Sequence, residues 1–579
     1  MKSKLTWMLT PFLVLIMSFS FAQEKTITGN VTDQSGLPLP GVSVLVVGTT
    51  KGTQTDFDGN YTITASAGQQ LRFSYIGQKT TDKLIGASGT INVLLEEDAQ
   101  ALEEVVVVGY GTVTKEAFTG TAATISSENL EVKSFSNVSQ ALAGEVAGVT
   151  VINNSGQPGS TSTIRVRGFG SVNGNRDPLY VVDGVPLNDS SRSGTGASGS
   201  GLNDGNVLNS INPADIKSTT ILKDATATAI YGARGANGVI LITTKSGSAN
   251  SSSIEVDVKT GVNVQMLPRN SVIKSPEEYI ELSWEGLVGR GVATGEADPI
   301  AYADNRLFNG AISPSYNMWN VADGAELIDP ATGKVRPGVS RRYNPEKWED
   351  YGFQPSYRTD ANVRLSGGTD KTRYFTSFGY LNDEGYIINS DYNRYSTRIN
   401  LTHEVKPWLK GTMNMSYSVS ETNNNGQTSD SGSIFWFVDN IPSIYPLFLR
   451  DADGNFVAEP IFGGNEYDYG VGRGFGALTN SIADAKYDQS RQNRQDLSAN
   501  FSFDVKLHEN LHFETRFGSQ YFNNKYNSLN NPFFGSAAGQ GGSIFKRDTE
   551  FFSKNWLQLL RFNKQFGDRQ DLLNLEHNY

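Results

Sequence analysis

The sequence predicts a mostly β protein in three parts: a small β-sandwich, a glycine-rich middle unit, and a partial antiparallel transmembrane β-barrel. The chain has 579 residues with 60 Gly, 24 Tyr and 30 Phe, which suits strands and turns better than helical bundles. Apolar and polar residues alternate in many segments, as in half-buried strands. Beyond the N-terminus no run of ~18 apolar residues occurs, so any membrane-spanning part must be built from strands.

Residues 1–22 have the pattern of a signal peptide. A positively charged start is followed by a short apolar stretch, Leu9–Phe19, and by a small-x-small site that ends at Ala22. We therefore expect cleavage between Ala22 and Gln23. A transmembrane anchor is disfavoured, because the apolar stretch is short and contains Pro11.

Composition excludes several function classes. The chain contains no Cys, so a disulfide framework and a Cys-ligated metal are both impossible. The net charge is −11 and no Lys/Arg run appears, which argues against a nucleic-acid partner. No pattern in the sequence requires a cofactor or a metal.

Residues 24–97 contain short alternating runs separated by turn signals, which predicts a β-sandwich. Asp56–Asn60 looks like half of a calcium loop, but the run is too short and a hairpin turn is the better interpretation. The opening Ile27-Thr28-Gly29, the run Leu39–Val44 and the segment Thr55–Tyr61 resemble the carboxypeptidase-regulatory-like domain, which is transthyretin-like. That domain type carries no protease site.

A valine-rich segment lies in the linker at residues 102–112. β-Branched residues favour an extended chain, and an apolar strand with an unpaired edge is suited to a partner that adds a strand. The competing interpretation is an ordinary strand of a neighbouring domain. The predicted pairing residues are Glu103, Glu104, Val105, Val106, Val107, Val108 and Gly109.

Residues 113–247 carry four long motifs that resemble the plug domain of TonB-dependent receptors, an α+β domain. The motifs are Asn137–Val149, Ile164–Gly168, Pro178–Pro186 and Ile211–Lys245. Because a regulatory-like domain precedes the valine-rich segment, the chain resembles the SusC/RagA type in particular. Such plugs commonly hold arginines against acids of the barrel wall, so we expect this role rather than substrate binding for Arg165, Arg167 and Arg234.

Residues 254–579 predict the N-terminal part of the barrel wall, with about nine strands. In the segment 497–505, Leu497, Phe501 and Phe503 would face lipid while Asn500 faces the lumen. Long gaps after residues 264, 381, 420 and 522 alternate with short ones, as between external loops and periplasmic turns. An odd strand count and a plug of this size predict less than half of a wall.

The pentapeptide His508–His512 matches the zincin pattern H-E-x-x-H. That chemistry needs both histidines on one helical face, whereas here the residues lie between two alternating strands. We therefore predict a hairpin turn and no enzymatic activity.

The resemblance implies import across the outer membrane, energised by the periplasmic protein TonB, of an oligosaccharide or peptide nutrient captured with a SusD-like lipoprotein. Alternatives are a siderophore or vitamin receptor, and a surface glycan-binding protein that does not transport. The sequence does not identify the substrate. Trp319, Trp348 and Trp436 lie near external segments, where they would either stack on sugar rings, pack loops or mark the membrane interface. Asp451–Asn455 is either a loop calcium site or a turn, and a turn is preferred.

Overall fold

The computed structural model describes residues 24–96, 105–108, 111–114, 120–127, 138–187, 207–424, 432–566 and 569–578, apart from positions 50, 76–77, 87, 154, 161, 169–175, 267–268, 270 and 475–478. The chain divides into two compact units, one ending at Thr119 and one beginning at Gly120. The predicted signal peptide and its cleavage site at Ala22 and Gln23 lie outside the described residues.

The first unit contains the predicted β-sandwich. Alternate residues of its strands are buried, as with Val44 and Val46 beside the more exposed Ser43 and Leu45. The inward side chains form one apolar cluster around Ile27, Leu71 and Phe73. One sheet contains Gly52–Gln54, Ser43–Val46, Gln70–Tyr75 and Gln78–Leu84, and the other contains Asn60–Ser66, Glu24–Thr32 and Val93–Leu94.

The plug in the second unit has mixed strands and short helices. Its main sheet orders the strands Ala122–Ser126, Ile216–Leu222, Val239–Thr244, Leu179–Val182 and Val185–Pro186, and a hairpin pairs Val149–Asn153 with Ser162–Val166. Only the pair formed by Leu179–Val182 and Val239–Thr244 is parallel within the described main sheet. The helical segments are Val138–Ala141, Val207–Ser210, Pro213–Asp215, Ala225–Thr228 and Ala229–Gly235.

Nine antiparallel strands form one open sheet among the described residues, here called the wall. All nine predicted barrel strands are confirmed. Leu497, Phe501 and Phe503 are exposed on one face, and Asn500 is buried on the other, as predicted. The strands are Ser251–Asn263, Ser356–Gly368, Thr372–Glu384, Ser390–Lys406, Leu409–Asn424, Gln489–His508, Leu511–Asn530, Ser543–Phe566 and Arg569–Asn578.

The connections between wall strands differ at the two ends of the sheet. Residues 369–371, 407–408 and 509–510 make short turns at the end where the plug joins the wall. The described parts of residues 264–355, 425–488 and 531–542 form long loops at the other end, as predicted. The predicted long gap after residue 381 is wrong, because the flanking strands extend to leave only residues 385–389 between them.

The long loops contain folded helical structure that the alternation of the strands does not predict. The helix Pro276–Thr294 begins at Ser275, whose hydroxyl accepts from the Glu278 amide, and ends at Gly295 with φ 75°. Other helices are Pro299–Arg306, Gly324–Leu327, Glu349–Gly352, Ile434–Asn440 and Ser481–Tyr487, with short turns at Leu307–Ala311, Pro314–Tyr316 and Ala538–Gln540 and a small hairpin of Ile328–Asp329 with Lys334–Val335. Within the described residues, no helix combines the length and apolarity needed to cross a membrane.

Candidate functional site

The hairpin turn at Asp183 and Gly184 lies against the wall. These two residues connect Val182 and Val185, which pair across the turn, and both have positive φ, 49° and 77°. Positive φ at both central positions is the geometry in which Asp-Gly is favoured. The Asp183 carboxylate accepts from the Thr244 amide at 2.9 Å, which holds the turn on the neighbouring strand.

Arg398 of the wall lies between two carboxylates of the plug. Its guanidinium is 3.4 Å from Asp183 and 3.6 Å from Asp215, and the Arg398 and Asp215 side chains are each only 4% exposed. Burial raises the pKa of the Asp215 carboxyl, and the charges of Arg398, Arg394 and Lys245 oppose that rise. Removing one partner of a buried ion pair is costly, because the charge of the other partner is left uncompensated.

Further wall side chains donate hydrogen bonds to backbone carbonyls of the plug. Arg394 donates to the carbonyls of Asn209 and Ile211 at 3.2 and 3.4 Å. Similar donations run from Arg364 to Ala214, from Arg516 to Gly184, from Asn400 to Lys245 and from Asn500 to Asp183. We call these contacts, together with the Arg398 ion pairs, the plug seat.

Glycines allow the close approach of backbone at the plug seat. A Cβ at wall residue Gly379 would lie 2.9 Å from Asn362 Oδ1 and would collide with the Asn212 amide, which donates to that same oxygen at 2.7 Å. A Cβ at plug residue Gly184 would collide with the Arg516 guanidinium. At both positions a side chain would not fit, so glycine is needed because it has none and not only because its backbone is flexible.

The plug has an apolar core of its own. The cluster contains Ile125, Leu142, Ile164, Leu208 and Ile240, and no wall residue belongs to it among the described residues. The plug therefore holds its shape through apolar packing within itself, while polar contacts connect it to the wall.

The predicted role of Arg165 is wrong. Arg165 pairs with Asp177, which is a residue of the plug and not of the wall. Arg167 has φ 55°, and Arg234 lies in the helical segment Ala229–Gly235. The polarity of the plug seat is the reverse of the expected one, since its arginines come from the wall and its acids from the plug. Inward-facing polar residues at alternate positions of the wall strands mark the wall side of the plug seat, but they do not identify the plug residues that each of them contacts.

The predicted TonB-pairing segment has a strand at Val105–Val108. This strand pairs antiparallel with Gly111–Thr114, with Val106 opposite Val113, and the two form a separate two-stranded sheet. One edge of Val105–Val108 is therefore paired within the hairpin. Glu103, Glu104 and Gly109 lie outside the described residues.

The H-E-x-x-H motif lies at a hairpin turn. His508 ends one wall strand, Leu511 begins the next, and the two residues are paired. His512 contacts Asp504 at 3.0 Å. No cluster of three or more His, Asp or Glu residues suited to a metal occurs in the part of the chain that the structure describes.

Both aspartate-rich segments form turns. The Asp56 carboxylate accepts from the amides of Asp58 and Asn60, and that of Asp451 accepts from the amides of Asp453 and Asn455. Their oxygens thus stabilise the turns in which they lie.

The tryptophans of the loops have two different roles. Trp319 is 1% exposed and Trp348 is 5% exposed, so both pack the cores of the loops. Trp436 is 39% exposed. Of the three, only Trp436 presents a substantial surface to solvent.

Two family models match the chain. The model described as the TonB-dependent receptor plug domain matches residues 114–239, and the model of the CarboxypepD_reg-like domain matches residues 27–107. The computed structure is similar to that of the RagAB peptide importer in its open-open state, with a TM-score of 0.60 and 24% identity over 82% of this chain and 48% of that one. That likeness shows the fold.

Curated relatives are similar over nearly the whole chain. TonB-dependent receptor P26 of Formosa agariphila is 32% identical over 554 residues, which are 95% of this chain and 48% of that protein. TonB-dependent receptor SusC of Bacteroides thetaiotaomicron is 30% identical over 523 residues, which are 89% of this chain and 46% of that protein. The chain thus spans about half the length of these relatives. With a regulatory-like domain, a plug and barrel strands in this order, the chain belongs to the SusC/RagA-type TonB-dependent receptors of the outer membrane.

Proposed function

We propose that the chain serves TonB-dependent import of an oligosaccharide or peptide nutrient across the outer membrane. The observation that carries this proposal is the plug seat: a domain with its own apolar core is connected to the wall by ion pairs and hydrogen bonds. When such contacts break, water replaces the lost hydrogen-bond partners, and the apolar core of the plug is not disturbed. The plug can therefore be displaced without unfolding. This is what an energised gate requires.

In this proposal TonB adds a strand to Val105–Val108 and pulls on the plug. Backbone ladder bonds supply the affinity, and Glu103 and Glu104 complement a basic partner. The proposed domains are the β-sandwich at 24–97, the linker with the pairing segment at 102–112, the plug at 113–247 and the barrel wall at 254–579, after a cleaved signal peptide at residues 1–22. The proposed external partner is a SusD-like lipoprotein. We propose no catalytic activity. The similarity to SusC and the likeness in fold to the RagAB peptide importer support an external partner.

Proline substitutions test the pairing segment. Neighbouring residues of a strand direct their N–H groups to opposite edges, so Val106→Pro and Val107→Pro each remove one donor, from different edges. We expect at least one of them to abolish capture of the purified TonB C-terminal domain and to abolish import. Val106→Thr keeps the donor and the β-branched shape, and should bind as the parent does. If both proline variants retain TonB binding, Val105–Val108 is not the pairing strand.

The rival functions differ from the proposed one either in their need for energy or in the substrate that is taken up. A glycan-binding protein that does not transport would bind its ligand equally well with or without TonB, and no uptake would follow. A siderophore or vitamin receptor would show TonB-dependent uptake of an iron chelate or a vitamin, and none of oligosaccharides or peptides. Uptake assays with each class of substrate, in strains with and without TonB, separate the three functions.

A further inference from the structure

A cavity of about 320 Å³ lies among the long loops of the second unit, at the end of the wall opposite the short turns. It is lined from three separate loops: Tyr343 belongs to residues 264–355, Asp468 to 425–488, and Phe534 to 531–542. The volume falls in the range of about 300–1,000 Å³ that is typical of small-molecule pockets. We call it the loop cavity.

Aromatic rings form much of the lining of the loop cavity. Tyr316, Tyr343 and Tyr467 are each less than a tenth exposed. The rings of Tyr469 and Phe534 are stacked, with centroids 5.9 Å apart and planes within 3°. Rings that are packed against one another in this way are held rigidly, so their positions are fixed before a ligand binds.

The loop cavity also contains a buried carboxylate with an unused oxygen. Asp468 is 2% exposed. Its Oδ1 accepts from the Tyr316 hydroxyl at 3.1 Å and from the Gly470 amide at 2.8 Å. Its Oδ2 has no hydrogen-bond partner among the described residues. Burial raises the pKa of this carboxyl, in keeping with a negative charge that is incompletely compensated.

Most of the positive charge near the loop cavity is already engaged. Arg450, which itself lines the loop cavity, pairs with Glu346 and lies 3.6 Å from the centroid of the Phe456 ring and 5.2 Å from that of the Tyr343 ring. Arg473 offsets part of the Asp468 charge, and it lies over the Phe437 ring and donates to the Thr479 carbonyl.

Acidic groups remain beyond those pairs. Glu466 also lines the loop cavity, and Asp484 and Asp488 lie close enough to Tyr469 to raise the pKa of its phenol by their charge. Lys486 lies over the Tyr467 ring, with its ammonium 5.7 Å from the ring centroid. The charged side chains that line the loop cavity are Glu466, Asp468 and Arg450, so the lining carries more acidic than basic groups.

We propose that the loop cavity binds an organic cation, a primary ammonium or guanidinium group such as a peptide side chain or amino terminus. Aromatic rings attract such cations, and the carboxylates of Glu466 and Asp468 supply the counter-charge. A neutral sugar would stack on the same rings but would bring no charge to balance Glu466 and Asp468. This inference rests on the proposed function in one respect, that a ligand held among these loops is the one to be imported.

The test is calorimetric titration of the full purified chain with two probes. N-acetyl-lysine amide carries the ammonium, and its Nε-acetylated form has the same stem without the charge. We expect saturable binding of the first and about tenfold or greater loss with the second. Equal binding of the two, or no binding of the charged probe, would overturn the proposal, and neither result depends on a variant that must fold.

Two variants then assign the site. Asp468→Asn should weaken binding of the charged probe about tenfold or more. Asp453→Asn removes the same charge from an exposed position in the same loop and should leave binding unchanged. If Asp468→Asn binds as the parent does, the cation is bound elsewhere and the assignment is wrong. Because titration needs no TonB, failure of this inference is distinguishable from failure of import.

Discussion

The guanidinium of the wall residue Arg398 lies 3.6 Å from the carboxylate of the plug residue Asp215, and both side chains are buried. With Asp183 at 3.4 Å, this arginine holds two plug acids at once. Arg398→Met should therefore loosen the plug by about 3–5 kcal/mol, because it leaves buried carboxylates unpaired. Since the chain has no Cys, Val185→Cys provides a single thiol at the contact with the wall, and its labelling should be at least about tenfold faster in the Met variant.

Two comparisons accompany that experiment. Arg373→Met, at an exposed position of the wall, should leave labelling unchanged. Adding Asp183→Asn and Asp215→Asn to Arg398→Met should slow labelling again, because the uncompensated charges are gone. Labelling at the parental rate in Arg398→Met alone would show that Arg398 does not hold the plug.

Gly379→Ala should also weaken the plug seat. The added methyl displaces Asn212, which donates to Asn362 and whose side chain accepts from the Ala214 amide at the start of a short helix. We expect a loss of about 1–3 kcal/mol in the same labelling assay. Gly261→Ala meets no atom within 4 Å and is the matched control on the same sheet. Equal labelling of the two variants would contradict the role of close approach at Gly379.

Glu509→Gln should leave import unaltered. Glu509 is exposed and lies in the turn between two wall strands, where no helical face brings His508 and His512 together. The measurement is uptake by cells that express the variant, with a zinc-dependent peptidase assay on the purified chain. A peptidase activity that disappears in this variant would overturn the assignment as a turn.

Asp484 should make the long loops less stable as pH rises. Burial and the neighbouring Asp488 raise the pKa of Asp484 to about 7 from 3.8, so the folded loops hold a proton that the unfolded chain releases. Stability should fall between pH 3.8 and about 7 and stay low above that. Hydrogen exchange of Ser481–Tyr487 measured at each pH should show Asp484→Asn protected relative to the parent only at the higher pH values. Equal protection at pH 8 would refute the shift.

Trp319→Ala and Trp436→Ala should differ in their effect on the stability of the long loops. Trp319 is fully enclosed in the loop core, so its loss should cost about 3–5 kcal/mol. Trp436 is 39% exposed, and its loss should change loop stability much less than the loss of Trp319. Protease resistance of the loops reports the difference, and similar resistance in both variants would contradict it.

The wall was predictable because lipid on one side imposes an alternation that persists along each strand. The ends of the wall strands were not predictable, because the strands continue beyond the apolar band. Gln489–Asp496 is polar throughout, yet it belongs to the strand Gln489–His508. The helix at Pro276 had a visible signal in Ser275-Pro276-Glu277-Glu278, a cap followed by proline and acids. The plug seat could not be predicted, because which wall arginine meets which plug acid depends on how the plug is placed against the sheet.

Backbone carbonyls accept many of the hydrogen bonds that the wall donates to the plug, as at Asn209, Ile211, Ala214 and Lys245. A carbonyl is present whatever side chain the residue carries, so mutation at these plug positions preserves the acceptor. The constraint falls on Arg394, Arg364 and Asn400, which donate through side chains. Substitution at these four plug positions should therefore weaken the contact with the wall less than substitution of the wall side chains that donate to them.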